Sequence, residues 1–297
     1  MILAILSLRN HRYHPNHRLM EAARAQGHRA VLLHPRRHFL SLLEEGPGLI
    51  NVRGEAVRPD VVLPRIGSTI REYPLTLVRQ MEKMGIRTVN GADALACARN
   101  KFRTLQALSL DGVPFPPSCY VSNARNLEAA FRKLRSRPLV IKLAQGRQGR
   151  GVFLAKDRKG ALELLEDRLG SGEGFVLQAY IPPEGRRREL RILVIGGTVA
   201  GAMALRPRPG EFRANFHMRG RPERIRLSPA MEQIALAATK AVGLDISGVD
   251  VVQKSDGSFL VVDVNYSPGF KGLERCTGAD IASKIITYAA SPTGRVG

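Results

Sequence analysis

The stretch Gly248-Val249-Asp250-Val251-Val252-Gln253-Lys254-Ser255-Asp256-Gly257-Ser258-Phe259-Leu260-Val261-Val262-Asp263-Val264-Asn265-Tyr266-Ser267-Pro268-Gly269 decides the fold. Two apolar, β-branched runs flank Asp256-Gly257, a dipeptide suited to a hairpin turn. Centred there, the hairpin sets Asp250 opposite Asp263, and Asn265, two residues on, shares the Asp263 face. Opposed carboxylates on apolar strands repel and lose hydration unless a cation lies between them. Oxygen donors of this kind suit Mg²⁺ or Mn²⁺. Spacing alone leaves a second reading open, in which both aspartates are the solvated half of an alternating strand. The tight Tyr266-Ser267-Pro268-Gly269 segment, which would bring backbone close to a ligand, favours the metal.

Upstream, Leu139-Val140-Ile141-Lys142-Leu143 reads as a strand ending near Gly146-Arg147-Gln148-Gly149-Arg150-Gly151. Glycines let backbone N–H groups approach phosphate oxygens, and Lys142, Arg147 and Arg150 add positive charge. The Gly-Lys-Ser/Thr ending of a Walker loop is missing, and Val152-Phe153-Leu154 reads as a strand. A Gly-rich hairpin over phosphates is the description that fits, although an ordinary Gly-rich turn has the same composition.

Between these landmarks strands dominate. Val176 to Ile181, Leu190 to Ile195 and Thr198 to Leu205 are strand-like, the last two joined at Gly196-Gly197. Met231 to Val242 has the pattern of an amphipathic helix, and Ala94 to Leu110 that of one helix carrying Lys101, ended by Asp111-Gly112-Val113-Pro114. The first 95 residues read as an α/β unit: an apolar run from Ile2, a helix over His17 to Gln26, a strand from Ala30 to Leu33, a buried strand at Asp60 to Arg65, and a helix from Thr76 to Met84. No Gly-rich turn follows its first strand, so the dinucleotide fingerprint is absent and a nucleotide must bind elsewhere.

The chain has 297 residues, 44% of them hydrophobic, enough to bury a sizeable core in two domains or in one domain of two or three lobes. No run approaches a membrane span, and Met1 to Arg9 is too short for a signal peptide, which points to the cytoplasm. Cys97, Cys119 and Cys276 lack zinc spacing and read as reduced, packed thiols. His11, His14, His17 and His28 follow no ligand pattern and read as solvated loop histidines. A formal charge of +20 favours anionic partners: nucleoside triphosphate, an acidic peptide or ribosomal RNA. An Arg-rich but merely solvated surface has the same composition. The absence of Trp and the 5% aromatic content argue against a base-stacking single-strand binder.

Taken together, these segments resemble the ATP-grasp superfamily and, within it, the ribosomal protein S6 L-glutamate ligase family. The resemblance rests on Pro64-Arg65-Ile66-Gly67, Ala98-Arg99-Asn100-Lys101, Lys142 with the Gly146 to Gly151 loop, Gln178-Ala179-Tyr180-Ile181, Gly210-Glu211-Phe212-Arg213-Ala214-Asn215, and Gly248 through Gly269. It implies an α/β (α+β) ATP-grasp fold, with a pre-ATP-grasp lobe over residues 1–95, a phosphate-loop subdomain over 96–180 and a metal-hairpin subdomain over 181–297. Lys101, Lys142, Gly146, Gly149 and Gly151 would meet ATP phosphates. The hinge Gln178, Ala179, Tyr180 and Ile181 would take the adenine, and Glu189 the ribose. Arg213 and Asn215 would sit at the transferred phosphoryl and the metal, Lys142 and Arg213 being the catalytic pair. Asp250, Asp263 and Asn265 would bind two Mg²⁺ (or Mn²⁺) ions.

The implied reaction joins a carboxylate to an amine through an acyl phosphate, with L-glutamate added to the C-terminus of an acidic peptide or ribosomal protein. Arg65, Arg191 and Ser267 are candidates for holding substrate, the two guanidinium groups by bidentate contact with a carboxylate; a salt bridge is the other reading of both arginines. The chain departs from the family pattern at Ala179, Asp263, Tyr266, Arg147 and Arg150, so another peptide, cofactor or carrier-protein acceptor is a second expectation. A ribosome- or RNA-binding protein without turnover is a third, and a homo-oligomer is compatible with each.

Overall fold

The computed structural model describes residues 1–67, 72–135, 138–147, 150–165, 174–181, 189–206 and 221–291. The chain opens, as its apolar runs predict, with strand β1 (Ile2–Leu6), helix α1 (His14–Ala25) and strand β2 (Arg29–Leu33). A hairpin follows, β3 (His38–Leu43) with β4 (Gly46–Asn51), then β5 (Val61–Pro64), α2 (Glu72–Lys83) and the short β6 (Arg87–Thr88). The sheet order is β2-β1-β5-β6, all parallel, and β1 and β5 are buried along nearly their whole length. A strand covered on both faces is continuously apolar, which is why these segments show no alternation.

The single helix expected over Ala94 to Leu110 is two, α3 (Ala92–Ala98) and α4 (Lys101–Leu110). Asn100 is the reason. Its side-chain oxygen accepts from the N–H groups of Phe102 and Arg103 at 2.9 and 3.2 Å, a cap that starts a new helix with Lys101 at its first position.

The next unit contains β7 (Ser118–Val121), α5 (Ala124–Leu134), β8 (Leu139–Arg147), β9 (Arg150–Ala155), α6 (Arg158–Leu165) and β10 (Phe175–Ala179). Its antiparallel sheet has the order β7-β10-β8-β9 and its own core around Phe131, Phe175, Leu127 and Ile141. The last unit is a five-stranded antiparallel sheet, order β13-β12-β11-β14-β15. It is built from β11 (Glu189–Ile195), β12 (Thr198–Arg206), β13 (Arg221–Arg224), β14 (Ile246–Gln253) and β15 (Phe259–Asn265), with α7 (Pro229–Val242), α8 (Lys271–Thr277) and α9 (Ile281–Ala290). The β11–β12 turn has Gly196 and Gly197 at φ of +56° and +75°, the primed geometry that its glycine pair predicts.

The N-terminal sheet and this last unit share their cores. Apolar residues of β1, β5 and α1 pack with Ile281, Ile285 and Ile286 of α9 in one cluster, while Leu6, Val62, Met81 and Leu95 join Ile192, Val249 and Val264 in another. Buried Asn90 pins the junction. Its amide nitrogen donates to the carbonyls of Ile246 and Tyr266 at 2.8 and 3.0 Å, and its oxygen accepts from the N–H groups of Asp245 and Ile246, both at 2.7 Å. A side chain with all its hydrogen-bonding capacity used in the interior fixes one lobe against the other with little tolerance.

Candidate metal and phosphate site

In the β14–β15 ladder Asp250 faces Asp263, and Gly248 faces Asn265. The turn alone does not achieve this. Nearest the turn, Gln253 pairs with Phe259, Val252 with Leu260 and Val251 with Val261; continued without interruption, that register would set Asp250 against Val262. A bulge at Val262 shifts the register by one, and only then do the carboxylates oppose each other. The bulge also turns the Val262 carbonyl toward β8, where Lys142 Nζ donates to it at 2.8 Å. One irregular residue thus opposes the carboxylates and anchors the lysine.

Arg191 lies opposite Asp250 on β11 and grips it bidentately, Nε to Oδ1 at 2.7 Å and a terminal nitrogen to Oδ2 at 2.6 Å. Both side chains are largely buried, at 14% and 18% exposure, so the pair is poorly screened. Burial alone would lower the Arg191 pKa, but Asp250 outweighs it and the net shift is upward. Asp250 is therefore neutralised by the protein itself. Asp263, half-buried beside it, has no hydrogen-bond or ion-pair partner among the described residues.

Asn265 Oδ1 accepts from Ser267 N–H at 2.9 Å, closing the turn that begins the Ser267-Pro268-Gly269 loop. The loop folds back over Gly248, where an added Cβ would lie 2.9 Å from Pro268. Arg65, at the end of β5, donates to the Pro268 carbonyl at 2.6 Å and lies over the Phe270 ring, its carbon 6.0 Å from the centroid. It is 9% exposed, its Nε has no hydrogen-bond partner among the described residues, and burial lowers its pKa to about 10. Tyr266 spends its hydroxyl on the Gly67 carbonyl at 2.5 Å. The loop carrying Ser267 is thus held from the N-terminal lobe on two sides.

Lys101, Lys142, Gln178 and Asp263 line one narrow cavity with Val261 and Val262. Burial pushes the Lys142 pKa down to about 8, with Asp263, Glu189 and Asp250 opposing and Lys101 reinforcing the shift. Gln178, 2% exposed, donates to Ser118 Oγ at 2.9 Å. The N–H groups of Ala179 and Tyr180 donate to the Pro117 and Pro138 carbonyls at 2.8 and 3.3 Å, so this segment is tied to the ends of β7 and β8. Ile181, half-buried, closes the segment, and Glu189 stands two residues from Arg191 on the same face of β11.

The glycine-rich stretch expected to cover phosphates falls at β8 and β9, with Gly146 in β8 and Gly151 at φ +84° in β9. A Cβ at Gly151 would lie 2.4 Å from the Leu143 side chain, so the close approach of the strands requires glycine there. Gly149, Arg213 and Asn215 lie outside the described residues. Cys97, Cys119 and Cys276 are half-buried, and burial raises the pKa of each. None of the described helices is long and apolar enough to cross a membrane.

A parallel-sheet lobe joined to two antiparallel sheets, with paired carboxylates and two lysines between the latter, defines an ATP-grasp ligase. The chain belongs to that family: residues 98–289 match the RimK-like ATP-grasp domain and residues 1–95 the RimK PreATP-grasp domain. A protein of Thioalkalivibrio sulfidiphilus described as a probable alpha-L-glutamate ligase is 38% identical over 97% of this chain and 95% of its own. Among solved structures, the RimK domain ATP-grasp protein of Sphaerobacter thermophilus superposes with a TM-score of 0.78 at 24% identity, covering 98% of this chain and 100% of its own. The ATP-grasp ligase PsnB, in complex with a minimal precursor, Mg and ADP, gives a TM-score of 0.71 at 21% identity over 96% of this chain and 95% of its own.

Proposed function

We propose that the chain adds L-glutamate to the C-terminal carboxylate of an acidic protein or peptide, such as ribosomal protein S6, with ATP cleaved to ADP. The observation that carries this reading is the row Arg191, Asp250, Asp263 across β11, β14 and β15, with Lys142 docked on the bulge beside it. The relatives described as alpha-L-glutamate ligases support the choice of amino acid.

The residues fit a divalent cation. Among the described residues no group of three His, Cys, Asp or Glu side chains could hold a metal; beside Asp250 and Asp263, the amide oxygen of Asn265 would serve as the third oxygen donor. Two carboxylates and an amide form the hard oxygen set that Mg²⁺ or Mn²⁺ prefers. When bound, Mg²⁺, which we take as two ions, neutralises phosphate charge and aligns the γ-phosphoryl group with its acceptor. Arg213 would add positive charge at the transferred phosphoryl, and Asn215 an amide oxygen at the metal.

The protein's own part is charge and alignment. Lys101 and Lys142 face the phosphates from α4 and β8, with the Gly146 to Gly151 hairpin over them. The hinge at Gln178 to Ile181 takes the base, and Glu189 the ribose. The acceptor carboxylate attacks the γ-phosphorus, ADP leaves, and the amine of glutamate displaces phosphate from the acyl phosphate. The unpartnered Nε of buried Arg65 and the Ser267 hydroxyl hold a substrate carboxylate at the loop. Arg191, committed to Asp250, acts through that residue. The cytoplasm, where ATP and ribosomal proteins occur, is the matching location.

The test is incubation with ATP, Mg²⁺, L-glutamate and acidic C-terminal peptides, followed by mass spectrometry. One glutamyl residue gained per ADP released is the expected result. ADP release with no mass gain on any peptide would reject the acceptor class.

A further inference from the structure

Away from the carboxylate hairpin, a cavity of about 770 Å³ opens at the carboxyl ends of β1 and β2. Open α/β sheets bind ligands at that edge. Arg9, His11, Arg12, His34, Arg37 and His38 line it, and no Asp or Glu does. The three arginines are exposed, and none forms an ion pair among the described residues. Like charges gathered without a counter-charge repel, a cost that an anionic ligand removes.

The loop presenting them is built rather than slack. Buried Asn16 donates from its amide to Ser7 Oγ and to the Arg9 and Asn10 carbonyls, at 3.1, 3.0 and 3.0 Å. Asn10 Oδ1 accepts from Arg12 N–H at 3.0 Å. The His34 ring accepts from Arg36 N–H at 3.2 Å, and the His34 carbonyl contacts His38 Nδ1 at 3.0 Å.

The helix that follows this loop reaches the segment after Ser267. His14, next to Tyr13 of the cavity wall, packs edge-on against Phe270 with centroids 5.8 Å apart, and Phe270 directly follows the Ser267-Pro268-Gly269 loop. Arg65, which holds that loop, receives a hydrogen bond from Ser7 Oγ at its carbonyl and donates its own N–H to the Leu6 carbonyl. The cavity and the loop are therefore consecutive stations along one edge of the sheet.

We propose that this cleft is a docking site for the acidic residues that precede the reacting terminus of the acceptor, several carboxylates being held by Arg9, Arg12 and Arg37 while the terminus lies at the Ser267 loop. The proposal rests on the ligase reading above. A peptide is favoured over a nucleic acid because the cleft leads to a carboxylate-activating site, and Tyr13 is its one aromatic residue besides the histidines. Docking away from the chemistry predicts that longer acidic acceptors bind tighter without reacting faster once bound.

The experiment compares the wild type with the Arg9→Gln/Arg12→Gln/Arg37→Gln variant, whose exposed positions leave the fold intact. Fluorescein-labelled hexaglutamate is titrated without ATP, and diglutamate and hexaglutamate are compared as acceptors. The expected result is at least about tenfold weaker hexaglutamate binding in the variant, and a matching rise in its KM, with diglutamate kinetics unchanged. Asp263→Asn should bind labelled hexaglutamate like the wild type while turning over none. Equal hexaglutamate affinity in wild type and triple variant would overturn the cleft and leave the ligase reading standing. Hexaglutamate binding that depends on the three arginines, with no turnover of any acidic acceptor, would overturn the ligase reading instead. Displacement of the label by hexauridylate as effective as by hexaglutamate would overturn the peptide assignment.

Discussion

Arg191 and Asp250 face each other across β11 and β14 and are joined by two hydrogen bonds, so the carboxylate that opposes Asp263 already carries a protein cation. The sequence poses two opposed carboxylates and asks for a cation; the fold supplies one guanidinium to one of them. Among the described residues Asp263 is left without a partner, beside a carboxylate whose charge is offset.

This arrangement makes Arg191 a substitute for part of the metal's charge when no cation is bound. Arg191→Met leaves Asp250 and Asp263 opposed with nothing between them, and the metal-free protein should lose about 3 kcal/mol, the order seen when one partner of a buried pair is removed. Added Mg²⁺ should recover much of that loss, giving a larger thermal shift than in the wild type. Equal Mg²⁺-induced shifts in variant and wild type would contradict this role.

Lys142 gives a pH dependence with a defined sign. Its pKa falls from 10.5 to about 8 in the folded, ligand-free protein, so between these values the unfolded chain holds a proton that the folded chain lacks. Stability of the ligand-free protein therefore rises with pH through that window, and the cost of the charged lysine is fully present below pH 8. Phosphate binding requires the charged form. ATP affinity should accordingly fall as pH rises above about 8, while Lys142→Arg should bind ATP with little pH dependence up to about 10. Calorimetric titration at stepped pH checks it, and a flat wild-type profile would remove Lys142 from the phosphate site.

Asn90 should be among the least replaceable residues. Asn90→Ala strands two N–H groups and two carbonyls between the lobes, at about 1 kcal/mol or more for each buried group left unpaired. Urea unfolding should show a loss of at least about 3 kcal/mol. A loss below about 1 kcal/mol would mean that water replaces the side chain and the junction is wetter than the packing implies.

Much of this was legible in the chain because the signals are local. The turn residues at Asp256-Gly257 and Gly196-Gly197 announce hairpins, and the apolar runs of β1 and β5 announce a buried parallel sheet. What stayed hidden depends on distant partners or on small irregularities. The break before Lys101 turns on one Asn100 side chain inside an otherwise helical pattern. The bulge at Val262 has no signature in Leu260-Val261-Val262-Asp263, where each apolar residue is equivalent by composition, so the opposition of Asp250 and Asp263 was inferred from a turn that does not by itself produce it. The Arg191–Asp250 pair joins residues 59 apart and becomes visible only once β11 lies beside β14. The packing of α9 against α1 sets the end of the chain on its beginning, which no local pattern encodes.

The central claim is that the Asp263 face binds the metal that phosphoryl transfer requires. Its most direct test is ADP release by Asp263→Asn, a substitution that removes a charge at nearly constant size, measured with ATP, Mg²⁺, L-glutamate and an acidic peptide alongside a thermal melt. The account predicts turnover at least about a thousandfold below wild type, with the metal-free melting temperature unchanged or raised as the carboxylate repulsion is relieved. Turnover within about twofold of wild type in a folded variant would contradict it and move the metal site off this hairpin.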